Sequence, residues 1–184
     1  MAPTGGRDRA SRSGAVMKAY SRCALGAEAG LLAGGGVALL FLFMDVLHLT
    51  PLATPNALAA GLFHPAGYEY DTGLMTRLAT WVGTGFHLAT YTVLHFATFA
   101  ALGVVAALLL GSLGWVGSLV GGLAFGLTAC TGVFLLSRSV LDTPVVMESM
   151  SFPALLLANG VAGVLLGVGV YLGRQPEDEE AVAA

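Results

Sequence analysis

His87, Tyr91 and His95 recur every fourth residue in the stretch GFHLATYTVLHF, and on a helix that spacing aligns them on one face. Imidazole rings can bind a metal or haem, carry a proton, or hold a hydrogen bond, and a phenol in the middle of the row can join the last two tasks. A shorter set lies in MDVLHL, where Asp45 and His48 are three apart and also share a face. Both sets have strongly apolar surroundings. An ionisable group in hydrocarbon costs at least about 2.5 kcal/mol, so function is the first hypothesis at Asp45, His48, His87, Tyr91 and His95.

Three chemistries compete for these residues. As polar glue, Asp45 would accept a hydrogen bond from His87 or Tyr91, and His95 would bond to a Thr, a Ser or Asn159 on a neighbouring helix; each such bond contributes about 0.6 kcal/mol in a membrane. As a metal or haem site, His48, His87 and Asp45 would supply two nitrogens and one oxygen. With ~1.5 Å of rise per residue, however, His48 sits about 7 to 9 Å too shallow to face His87 across one iron, and His87 and His95 share a helix. No Cys-x-x-Cys-His marks covalent haem. As a proton or quinone path, the row runs from one surface to the midplane and stops: the inner halves of the spans offer only Thr98 and Ser118, and nothing links Glu28 to His95. The sequence contains no phosphate loop, nucleophile elbow or His-Glu-x-x-His. Polar glue is therefore the favoured reading, with no catalytic residue, no metal and no cofactor. His64, beside Pro65, reads as an exposed cap rather than a base, and Arg138 as a partner for Asp142, Glu148 or Asp45 or as a side chain that snorkels to headgroups.

The elements that must position these residues follow from composition. Of 184 residues, 56% are hydrophobic and 10% charged, against roughly 25% charged in an ordinary soluble domain. Eight basic residues with a formal net charge of −3 build no nucleic-acid surface. Four apolar stretches reach the roughly 20 residues a helix needs to cross hydrocarbon: Ala29–Leu49, Trp81–Leu110, Trp115–Leu136 and Pro153–Leu172. The expected fold is all-α, an integral membrane four-helix bundle spanning residues 23–173. The uncharged GSLGWVG makes spans two and three a tight antiparallel hairpin.

Arg7, Arg9, Arg12, Lys18 and Arg22 precede the first span and Arg174 follows the last, whereas Arg77 and Arg138 stand alone on the opposite side. Positive-inside counting places both termini in the cytoplasm and the 50–80 loop outside. A cleaved leader is the competing reading of the N-terminus, but the first apolar segment is longer than a signal core and contains Asp45. Residues 1–22 are expected as a disordered basic tail and 174–184 as a short acidic one. Within the outer loop, LATPNALAAGLFHPAG predicts a short interfacial helix with Thr54 as N-cap and Pro55 at its first position, ending by Pro65. The following YEYDTG puts Tyr68 and Tyr70 at headgroup height.

Helices associate in lipid by close approach of small residues rather than by hydrophobic burial. Such residues fall every fourth position at Gly26, Gly30, Gly34 and Ala38, then at Gly114, Ser118, Gly122, Gly126 and Cys130. Gly163 and Gly167 do the same in the fourth span, with Gly169 and Gly173 on another side. Cys23 and Cys130 belong to different depths, which excludes a bridge between them.

MDVLHLTPLATPNALAAGLF together with YTVLHFATFAALG resembles a group of small four-helix bacterial integral membrane proteins. The resemblance covers about half of the chain and implies the same topology and a bacterial inner membrane; it carries no catalytic residues. The expected function is a non-catalytic accessory or assembly subunit of a larger membrane complex, respiratory or photosynthetic, whose partners are the lipid bilayer and other integral membrane subunits. The alternatives are a redox or proton-handling subunit using the Asp, His and Tyr residues, or a small transporter.

Overall fold

The computed structural model describes residues 5–63, 74–141 and 151–183, and every regular element among them is helical. Helix α1 runs Gly5–Leu47, α2 Ala53–Phe63, α3 Leu74–Leu110 and α4 Trp115–Phe125. A π-helical turn at Gly126–Cys130 joins α4 to α5, Thr131–Leu141, and α6 follows as Phe152–Ala183. Four helical stretches are long and apolar enough to cross a membrane: Tyr20–Leu47, Val82–Leu110, Trp115–Leu136 and Phe152–Arg174. The protein is thus an all-α, multi-pass four-helix bundle. In hydrocarbon every backbone polar group needs an internal partner, and continuous helices supply one.

The ends of the spans have identifiable causes. At the end of α1 the Thr50 N–H donates to the Asp45 carbonyl at 2.9 Å and the Leu49 N–H to the Val46 carbonyl at 3.0 Å, while Leu49 takes φ 57°. This is a Schellman ending, with leucine at the left-handed position that usually belongs to glycine. Pro51 then prevents continuation. The hairpin between α3 and α4 needs only residues 111–114, and extended backbone at Gly114 starts α4. At the outermost ends, α1 is helical from Gly5 and α6 continues to Ala183. Pro3 precedes the first of these extensions, and beyond Gly14 it is rich in good helix formers, Ala15, Met17, Lys18, Ala19 and Arg22.

The spans pack in the order α3, α1, α6, α4, each antiparallel to its neighbour, with smaller contacts from α3 to α6 and α4. Small residues set each interface. On α1, Gly26 and Gly30 lie against the backbone of Phe99, Ala100, Gly103 and Val104 on α3. Gly122 and Gly126 lie against Asn159, Gly163 and Gly167 of α6, so closely that any Cβ there would overlap backbone atoms. The other side of α6 meets α1 through Gly169 on Ala29 and Gly173 on Leu25. The central core is made of Ala29, Ala33, Val37, Ala162, Leu166 and Val170. Leu39, Phe43, Val93 and Leu108 point outward, as a lipid-facing surface allows.

Candidate functional site

The end of the bundle that holds α2 also holds most of the chemistry. Asp45 is buried, 6% exposed, in the last turn of α1. Its carboxylate accepts from the Thr54 N–H at 2.8 Å and from the Thr54 hydroxyl at 2.6 Å. Thr54 lies in the first turn of α2, where N–H groups have no partner within their own helix and the helix dipole favours a negative charge. Asp45 therefore caps α2 from another helix. The cap expected at Thr54 shifts with this. A turn closed by the Ala53 N–H on the Thr50 carbonyl, 3.0 Å, puts Leu52 at φ 67°, and α2 starts at Ala53. The Leu52 carbonyl accepts the Asn56 N–H at 3.1 Å.

Tyr91 and His95 stay together on α3, with ring centroids 5.9 Å apart. The His95 Nε2 lies 3.2 Å from the Gly34 carbonyl of α1, where the polar-glue reading expected a side chain. A carbonyl can only accept, so Nε2 carries the proton and Nδ1 is left as an acceptor. The Phe99 ring, 4.8 Å from His95 by centroid, fills the space beside Gly34. Tyr91 and His95 both line a half-open cleft of about 250 Å³ between α1, α2 and α3. Leu42, Leu52 and Leu58 contribute apolar walls, and Thr54 and Pro55 bring the start of α2 to its edge.

The other candidates lie elsewhere. His48 is exposed, and its Nδ1 donates to the Met44 carbonyl of its own helix at 2.8 Å. His87 is half-buried, with its ring edge-on to Phe86. Ser118 caps the hairpin through the Leu113 carbonyl at 3.2 Å. Gly30, Gly34, Gly122, Gly126, Gly163 and Gly167 stand at helix contacts, whereas a Cβ at Gly114 would meet open space. His64, Tyr68, Tyr70, Asp142 and Glu148 lie outside the described residues, as does the side chain of Arg138.

Two polar contacts have no precursor in the sequence reading. Asn159 Nδ2 donates to the Thr131 hydroxyl at 2.9 Å inside the bundle, where the π turn delivers Thr131 to α6. The sequence offers Asn159 as a partner for His95, and a π turn has no sequence signature that would reveal its pairing with Thr131 instead. At the opposite end of the bundle, Arg174 donates to the carbonyls of Gly111 and Leu113 and stacks over Tyr171, which fastens the α3–α4 hairpin to α6. A cation at a helix C-terminus was a legible signal, because Arg174 and the hairpin fall at the same end of adjacent spans.

Chemically, then, the cleft presents the Tyr91 hydroxyl and a ring nitrogen of His95 beside the Thr54 and Thr92 hydroxyls, which donate to Asp45 and to the Leu88 carbonyl. Among the described residues no three His, Cys, Asp or Glu side chains come close enough to hold a metal ion. No family model matches the chain, and neither the curated proteins nor the solved structures provide a match.

Proposed function

We propose that this chain is a non-catalytic accessory or assembly subunit of a larger membrane complex, set in a bacterial inner membrane with both termini in the cytoplasm. One observation carries the reading: the buried and half-buried polar side chains of the spans make contacts that build the bundle itself. Asp45 holds α2, His95 holds α1, Asn159 holds the π turn and Ser118 holds the hairpin. The basic residues before the first span and Arg174 after the last support the orientation.

A second reading, a redox or proton-handling subunit, draws on the shared cleft of Tyr91 and His95. Gentle detergent extraction from native membranes, with size separation and an absorption spectrum on every fraction, distinguishes the two. Migration inside a large assembly is the expected result. Migration alone and colourless would refute the accessory role, and migration alone with a haem-like band would establish the second reading.

A further inference from the structure

We propose that the cleft between α1, α2 and α3 binds an uncharged lipophilic molecule bearing a hydroxyl group, a membrane-dissolved alcohol or phenol. The cleft's volume of about 250 Å³ fits a molecule of some ten heavy atoms and is well below the 300–1,000 Å³ of pockets for drug-sized ligands. Its lining includes no Asp, Glu, Lys or Arg, so a charged head would be desolvated without compensation.

Thr54 and Thr92 have given their hydroxyl protons to Asp45 and to the Leu88 carbonyl, which leaves Tyr91 and His95 to fix the chemistry of the head. His95 has committed its proton to the Gly34 carbonyl, and its remaining nitrogen can only accept. The Tyr91 hydroxyl makes no hydrogen bond within the described residues and can donate as well as accept. One hydroxyl on a ligand satisfies both, by donating to His95 and accepting from Tyr91. An ether or a ketone could meet only Tyr91.

The backbone beside the cleft supplies an independent observation. Leu52, one of the lining residues, is held at φ 67° in a protein with 26 glycines to choose from. A branched side chain kept in the left-handed region costs about 1–2 kcal/mol. The turn from Thr50 to Ala53 that sets this φ puts Leu52 on the wall of the cleft, and the bond from Asp45 to Thr54 keeps α2 over it.

The test uses the full chain in lipid nanodiscs with a diazirine-bearing octanol as photoreactive probe and adducts mapped by mass spectrometry. Saturable labelling of Leu58, Leu88 and Tyr91 is expected, displaced by 1-octanol and at least fivefold less well by octyl methyl ether. Tyr91→Phe should raise the half-saturating concentration about tenfold, the loss of one hydrogen bond, with thermal unfolding unchanged. Leu58→Trp, which fills the cleft, should abolish the saturable component. Unsaturable labelling spread over the lipid-facing residues would overturn the proposal. So would equal displacement by the ether, or saturable labelling that survives in both variants.

Discussion

Single residues at the end of α1 decide how the outer loop is held. Among the described residues the donors to the Asp45 carboxylate are the Thr54 N–H and hydroxyl, so the start of α2 and the hydroxyl together compensate its burial. Asp45→Ala should cost about 1.5–3 kcal/mol. A double-mutant cycle with Thr54→Val should return a coupling of about 1–3 kcal/mol, read from thermal unfolding in detergent. Additive losses would mean that Asp45 acts through something other than Thr54. Leu49 is the converse case, a bulky residue at a glycine position with its side chain 88% exposed. Leu49→Gly should stabilise the protein by about 1 kcal/mol, visible as a higher midpoint in the same measurement. At this scale the sequence revealed which residues are costly to bury, because residue type alone sets that cost. It did not reveal their partners. The bond between Asp45 and Thr54 crosses a break between two helices, and it depends on positive φ at two leucines that no helical periodicity anticipates.

At the scale of helices, the glycines fall into two groups that look alike in sequence. Gly163 lies against the backbone of Gly122 and Gly126, whereas Gly35 and Gly132 have nothing within 4 Å of where a Cβ would stand. Gly163→Ala should therefore cost about 1–3 kcal/mol, because backbone atoms cannot yield as the tip of a side chain can. Gly35→Ala should be neutral or stabilise by up to about 1 kcal/mol, since alanine is the better helix former. Resistance to unfolding in sodium dodecyl sulfate measures both variants, and equal effects would contradict the interface. Spacing of four made most contact glycines legible in advance, since a helix repeats closely enough for one face to show. It also included Gly114, which has no neighbour, and gave no sign of Gly103, whose place in AALGVVAA resembles any other small residue. The pairing of α4 with α6 and of α1 with α3 depends on the whole arrangement, which a pattern within one helix does not encode.

Over the whole molecule, the order α3, α1, α6, α4 leaves the third span at an edge. Half of the fourth span is buried within the chain, 50%, against 22% of the third. Along the outer side of the third span Val120, Ala124, Thr128 and Gly132 are exposed at four-residue intervals. Thr128 returns its hydroxyl to the Ala124 carbonyl at 2.7 Å, so this surface presents little free polarity. If the chain is an accessory subunit, this edge suits a neighbouring helix best, because small residues permit the close approach on which association in lipid depends. Gly122 and Gly126 cannot test the idea. They face α6 inside the chain, and leucine at either would damage the bundle before it reached a partner. Gly132→Trp places its bulk on the open edge instead. It should leave thermal unfolding of the isolated chain within about 0.5 kcal/mol of the parent, as surface substitutions do. In native membranes it should shift the protein from the large assembly to the size of the free chain. A variant that stays in the assembly would move the contact to another face, and one that unfolds would show that the third span is packed on both sides.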